Sequence, residues 1–236
     1  MIEQFKDLCV IKCYDISDNI VNQCEGLAKI DGINLVVYND ADDCKISIQN
    51  LTASEVDFQS VVDKTMCLVK QYCYCDCDKS LEECLVELAI DKNIKLACAE
   101  SITGGMVSSS IVNVPGSSAV LSESYITYSN ASKVRLLHVK SSTLEIEGAV
   151  SKSVALQMAM GVLVNKDINI TITTTGCAGP DSDEMGAPVG LVYIGYGNKN
   201  NLKVEECYFD GSRNYIRKRV VNKALYLALQ FIKNNY

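Results

Sequence analysis

The stretch Ile94-Lys-Leu-Ala-Cys-Ala-Glu-Ser101-Ile-Thr-Gly-Gly105 leaves the surrounding chain few ways to fold. An apolar run of strand type ends in an acid, a hydroxyl and a Thr-Gly-Gly turn, and a helical pattern follows from Met106 to Val112. A strand that turns through glycine into a helix presents side chains and free backbone amides at one end of a sheet. That end is where ligands of α/β sheets bind. The same string also serves as an ordinary turn, so its meaning depends on the blocks around it.

Those blocks alternate between strand and helix. Ser80 precedes a helical stripe holding Leu81, Cys84, Leu85 and Leu88. Tyr125–Tyr128 reads as a strand, followed by Ser129 or Asn130 as the cap of a helix carrying Lys133, Val134, Leu136 and Leu137. Ser151 caps Val154–Val164, in which Gly161 implies close packing. Ile168–Thr175 alternates as a strand with Thr171, Thr173 and Thr175 pointing one way, and runs into a second glycine loop, Gly176-Cys-Ala-Gly179-Pro-Asp181. A hairpin and a last helix from about Ser212 complete the chain. The pattern predicts a three-layer α/β/α domain with a mixed sheet over residues 78–236.

Residues 1–77 read differently. The order β-α-β-β-α, with turn chemistry at Asn39–Asp43 and a helix from Ser54, implies a small α+β layer. This module resembles a KH-like fold. The G-x-x-G loop with which true KH domains hold nucleic acid is missing, and a formal charge of −7 argues against a nucleic-acid surface. The segment Cys73–Lys79 reads as the junction between the two parts.

At 236 residues the chain suits one large domain or two small ones. No apolar run approaches the ~20 residues of a membrane span, and Met1–Asp7 lacks the form of a signal peptide. A cytoplasmic protein without membrane contact is expected, and its twelve cysteines are then reduced thiols. Cys73, Cys75 and Cys77 would share one face of an extended segment. The paired C-x-x-C spacing of zinc sites is missing there, so no metal and no cofactor are expected.

The chain has one histidine, His138, placed at a helix end. If Ser101 is a nucleophile, its base is therefore expected to be something other than histidine. Lys133 can serve if its amine is kept neutral by burial and by the positive end of its helix. Spacing alone favours a Lys133 on a solvated helix face. Tyr128, five residues earlier, could share a hydrogen-bond network with that amine. The amides of Thr103, Gly104 and Gly105, or those of the Gly176–Gly179 loop, could hold an oxyanion or a phosphate. Arg213 and Arg217, one helical turn apart, could pair with one anion or lie on a solvated face.

The blocks Ala99-Glu-Ser-Ile-Thr-Gly-Gly105, Pro115-Gly-Ser-Ser118, Thr127-Tyr-Ser-Asn-Ala-Ser-Lys133, Gly148-Ala-Val-Ser151, Met158-Ala-Met-Gly161, Thr175-Gly-Cys-Ala-Gly-Pro-Asp181 and Pro188-Val-Gly190 stand in order. Together they resemble the C-terminal domain of the CinA family, of the nicotinamide-mononucleotide deamidase type. The preceding module resembles the KH-like domain of full-length CinA proteins, while their large N-terminal pyrophosphatase domain has no counterpart here. The resemblance implies a metal-independent amidohydrolase of pyridine-nucleotide salvage, converting nicotinamide mononucleotide to nicotinate mononucleotide and ammonia. It implies Ser101, Tyr128 and Lys133 as the catalytic group, with Ser101 attacking the amide carbon and the other two managing protons. Glu100, Thr103, Gly104, Gly105, Thr175, Gly176, Ala178, Gly179, Arg213 and Arg217 are the expected substrate-binding positions. A small-molecule nucleotide substrate and a homodimer follow from the same resemblance.

Some positions depart from the family pattern. Ala187 stands where a lysine is usual, and Ser182–Gly186 replaces a glycine-rich acidic loop. Ser124 or Tyr125 stands where a glycine is usual, as does His138, and Ser212 replaces an aspartate. The lost lysine bears on substrate affinity. The rival reading is a nucleotide-binding or assembly member of the family with little or no turnover.

Overall fold

The structure, a computed structural model, describes residues 7–27 and 29–236. The Met1–Lys6 stretch, on which the signal-peptide reading partly rests, lies outside the described residues. The chain divides into two compact units, residues 1–81 and 82–236.

The first unit runs β1 (Leu8–Tyr14), α1 (Asp18–Leu27), β2 (Ile33–Asp40), β3 (Asp43–Asn50), α2 (Glu55–Val69) and β4 (Cys73–Cys75). Its sheet has the order β2-β3-β1-β4 and its pairs are antiparallel. Alternation along β3 puts Cys44, Ile46 and Ile48 in the core, where they meet Phe58, Val61 and Val62 of α2. The β2–β3 turn is tighter than the sequence suggested. Only Ala41 and Asp42 separate the strands, at φ 52° and 70°. Two left-handed residues give a hairpin the twist that its strands need. The supposed junction also differs, because Cys73–Cys75 pairs with β1 as an edge strand.

The second unit begins near α3 (Leu81–Asp91). Then follow β5 (Leu96–Glu100), α4 (Met106–Val112), a 3-10 turn at Ser117–Ala119, β6 (Leu121–Ile126), α5 (Asn130–Leu137), α6 (Ser141–Glu147) and α7 (Lys152–Val162). β7 (Ile170–Gly176), β8 (Leu191–Asn198), β9 (Asn201–Tyr208) and α8 (Arg213–Asn235) end the chain. The five-stranded sheet has the order β6-β5-β7-β8-β9. β6, β5 and β7 are parallel, whereas β8 runs antiparallel to both its neighbours β7 and β9, so the sheet is mixed.

Period two sorts the sheet's two faces. Ala97 and Ala99 of β5 pack against Leu137, Leu144, Val154, Met158 and Val162, the core under α5, α6 and α7. On the register partner β7, Thr173 Oγ1 donates to Ala155 O of α7 at 3.2 Å and Thr175 Oγ1 to Ala149 O at 2.6 Å. The alternate residue Thr174 turns the other way, to Thr103 at the approach to α4. All three parallel strands end at one edge, and there the chain places Ser101, Tyr128 and Gly176. Among the described residues, no helix is long and apolar enough to cross a membrane.

Candidate active site

The turn after β5 is fixed by a buried carboxylate. Glu100 is fully buried, and its Oε2 accepts from Thr103 Oγ1 at 2.7 Å, Gly105 N at 2.9 Å and Val107 N at 3.0 Å. Its Oε1 accepts from Ser108 N at 2.9 Å and from the Ser108 hydroxyl, which in turn accepts from Ser124 Oγ at 2.8 Å. The first amides of a helix have no partner within it and carry the positive end of its dipole. Glu100 supplies the partner from inside the protein. Thr174 Oγ1 lies 2.7 Å from Thr103 Oγ1 and joins the network to β7.

This arrangement corrects one expectation. The amides of Gly104 and Gly105 do not face a ligand. Gly104 N donates to Ser101 O at 3.2 Å and Gly105 N to Glu100. Gly104 and Gly105 have φ of 59° and 98°, a conformation that glycine adopts without strain. The glycines thus shape the turn while the carboxylate occupies the helix start.

Ser101 is held just outside that network, its own N–H donating to Thr174 O at 2.9 Å. Its partner comes from α5. Ser129 caps α5 by accepting from Ser132 N, and one turn later Lys133 points inward. Lys133 is 1% exposed. Its Nζ lies 2.9 Å from Ser101 Oγ and donates to Thr127 O at 2.8 Å. Among the described residues no carboxylate pairs with it. Burial therefore acts unopposed and lowers its pKa from 10.5 to about 8. The solvated-lysine alternative is excluded by this burial.

Ser101 and Lys133 open onto a cavity of about 860 Å³. Ile102, Tyr128, Thr175, Gly176, Ala178 and Arg213 also line it, as do Glu145 and the loop residues Ser182, Asp183, Glu184 and Met185. Tyr128 is 63% exposed, and its hydroxyl accepts from Arg213 Nη2 at 3.1 Å. The expected network between Tyr128 and the amine is therefore replaced by one between Tyr128 and Arg213. Arg213 Nη1 also donates to Gly179 O at 2.6 Å.

Seven of the expected site positions meet at this cavity: Ser101, Tyr128, Lys133, Thr175, Gly176, Ala178 and Arg213. Glu100, Thr103, Gly104, Gly105, Gly179 and Arg217 do not line it. Arg217 is parted from Arg213 by its bonds, Nε to Ile102 O at 3.1 Å and Nη2 to Thr103 O at 2.9 Å, which clasp the serine turn from outside. Glu145, on α6, is a wall residue that the sequence reading missed. Its helix, Ser141–Glu147, is only seven residues long and lacks a side-chain cap.

Fold and site together define a class: a three-layer α/β/α domain that holds a buried serine–lysine pair at the carboxyl edge of its parallel strands. The chain belongs to the CinA family, since the profile of the CinA C-terminal domain matches residues 78–232. Relatives that carry the name competence-damage inducible protein include one from Clostridium kluyveri, 45% identical over 152 residues, and one from Clostridium botulinum, 43% identical over 162 residues. These matches take in 64% and 69% of this chain but 37% and 39% of the relatives. The chain thus spans well under half the length of those proteins. Among solved structures, a CinA superfamily protein from Klebsiella pneumoniae is 25% identical with a TM-score of 0.63, matching 65% of this chain and 96% of that one. A competence/damage inducible protein from Agrobacterium tumefaciens is 35% identical with a TM-score of 0.60, matching 64% of this chain and 94% of that one.

Proposed function

We propose that the second unit hydrolyses the carboxamide of nicotinamide mononucleotide, giving nicotinate mononucleotide and ammonia, with Ser101 as nucleophile and Lys133 as base. The observation that carries this reading is the contact at 2.9 Å between Ser101 Oγ and an amine whose pKa burial lowers to about 8. A serine hydroxyl is a weak nucleophile until a neighbouring base takes its proton. Lys133 Nζ takes that proton as Oγ bonds to the amide carbon. The ammonium then returns a proton to the leaving nitrogen as the carbon–nitrogen bond breaks, and ammonia departs. A water molecule, deprotonated by the same amine, cleaves the resulting ester and restores Ser101.

Of the oxyanion donors first expected, Gly104 and Gly105 use their N–H groups within the serine turn, whereas the Gly176–Gly179 loop still offers Ala178. Ile102 and Ala178 line the cavity, and neither N–H makes a backbone bond among the described residues. These two amides are the proposed oxyanion donors. The cavity of about 860 Å³ is large enough for a mononucleotide. Its charges suit one as well. Glu145, Asp183 and Glu184 among its lining residues would favour a cationic pyridinium, while Arg213 could offer a guanidinium to the phosphate. In this reading Tyr128 positions Arg213 and covers the substrate.

The substrate reading is tested by following nicotinate mononucleotide formation from nicotinamide mononucleotide and, in parallel, nicotinate riboside formation from the riboside that lacks the phosphate. Faster conversion of the phosphorylated compound, with the preference reduced in Arg213→Ala, is the expected result. Equal conversion of both compounds would remove the phosphate from the recognition scheme. Ala187 and the changed Ser182–Gly186 loop favour the second reading, a member that binds nucleotide without turning it over. Saturable binding with no product in either reaction is what that reading predicts.

A further inference from the structure

The first unit holds a cluster of donors that the amidase reading does not use. β4 ends at Cys75, and the chain bends at once through Asp76, Cys77 and Asp78. In a straight strand, side chains two residues apart on one face are separated by roughly 6.6 Å. Here the bend brings Cys75 Sγ and Cys77 Sγ to 3.0 Å. The Asp76 carboxylate turns to the same point, so that one oxygen and the two sulfurs all lie within 4.8 Å of one another. All three residues are half-buried, shielded on one side and reachable from the other. A cavity of about 560 Å³, lined in part by Asp63, Lys70, Cys73 and Asp76, opens beside them as an entry path.

We propose that Cys75, Asp76 and Cys77 bind one thiophilic divalent cation, with zinc as the ion whose chemistry fits two sulfurs and one carboxylate oxygen. Zinc holds thiolate sulfur at about 2.3 Å and carboxylate oxygen at about 2.0–2.2 Å in a tetrahedron, so donors this close converge on one ion after small side-chain rotations. The softness of two thiolates excludes magnesium and calcium. Three protein ligands leave the fourth position open, toward the cavity. The sequence argument against a metal rested on straight-strand geometry and on the lack of a C-x-x-C pair. The bend after Cys75 removes the first objection. It also lets adjacent residues supply what the second demanded.

The neighbouring contacts prepare the site. Cys73 Sγ donates to Cys75 O at 3.2 Å, which fixes the end of β4. Lys45 of β3 pairs with Asp78 just beyond the bend, which anchors the far side. Binding displaces a proton from each thiol. It would also pin the edge strand to the following turn, and so stabilise the first unit.

The test uses the full chain, reduced and stripped of metal, titrated with cobalt(II) as a spectroscopic stand-in for zinc. Saturable thiolate-to-cobalt absorption of tetrahedral type, bleached by added zinc, is the expected result. Cys75→Ser/Cys77→Ser should abolish the absorption, whereas Cys84→Ser, a thiol of α3 that does not line this cavity, should leave the titration unchanged. Asp76→Asn keeps both thiols and should weaken binding by roughly tenfold or more. Absorption that survives in the double cysteine variant would place the metal on other thiols and overturn the proposal. A reduced parent with no thiolate–cobalt band would overturn it too, and unchanged affinity in Asp76→Asn would remove the third ligand.

Discussion

Two lysines among the described residues are buried, and they differ in company. Lys12 pairs with Asp43 at 3.0 Å, whereas Lys133 meets only a hydroxyl and a carbonyl. An ammonium without a counter-charge is disfavoured in such a place, so Lys133 gives up its proton more readily. Two predictions follow from the direction of that shift. Turnover depends on the neutral amine, so kcat/KM should rise with pH through about 8, the folded-state value for Lys133. The contribution of Lys133 to stability should also rise with pH, between about 8 and 10.5, against an opposite contribution above about 9 from buried thiols such as Cys9 and Cys44, whose pKa burial raises. In that window the unfolded chain still binds the proton that the folded chain has released, and raising the pH therefore favours the folded state. Urea titrations of Lys133→Met across the window should show this slope removed. A slope unchanged in that variant would mean that another group titrates.

At the level of elements, two contacts hold the catalytic pair in place. Glu100 ties the start of α4 to the serine turn, and Glu100→Gln puts an amide where five donors need an acceptor. The expected loss is about 3 kcal/mol by urea unfolding, the scale of a broken buried network. Gly161 of α7 lies under the end of α5, where an added Cβ would stand 2.1 Å from Leu137 O. Gly161→Ala should therefore cost about 2 kcal/mol and lower turnover with it, because α5 carries Lys133. His138 ends α5 at φ 55°. His138→Gly should relieve left-handed strain and raise stability by up to about 1 kcal/mol. The sequence showed the close packing at Gly161 and narrowed the cap of α5 to Ser129 or Asn130, of which the structure uses Ser129, because both features leave local signatures. It did not show the role of Glu100. An acid before a serine looks like part of a ligand site, and only the three-dimensional turn shows that its oxygens face the helix start. Nor did it show α6 or the strand character of Cys73–Cys75, because a short uncapped helix and a three-residue edge strand owe their form to tertiary contacts.

For the molecule as a whole, the two units make separate predictions. The solved Klebsiella protein is matched over 96% of its own length by 65% of this chain, so a domain of this size stands alone there. Residues 78–236 of this chain, expressed without the first unit, should fold cooperatively and keep kcat within roughly threefold of the full chain, within the small changes expected when no active-site contact is lost. A fragment that is unfolded or inert would show that the first unit takes part in the site. The α/β/α architecture was legible at this scale, because strand–turn–helix blocks recur through the second half of the chain. Where the two arginines of α8 direct their side chains was not legible. Arg213 and Arg217 share a helix face by spacing, but one reaches the cavity and the other the outer side of the serine turn.

The central claim is that a serine activated by a buried lysine breaks an amide bond in this cavity. Ammonia release from nicotinamide mononucleotide, measured side by side for the parent, Ser101→Ala and Lys133→Ala, tests it most directly. The account predicts turnover in the parent and a loss of roughly a thousandfold or more in each variant, the scale on which removing a nucleophile or its base acts. Turnover that survives in Ser101→Ala would contradict the nucleophile assignment. A parent that binds the nucleotide and releases no ammonia would contradict the account as a whole.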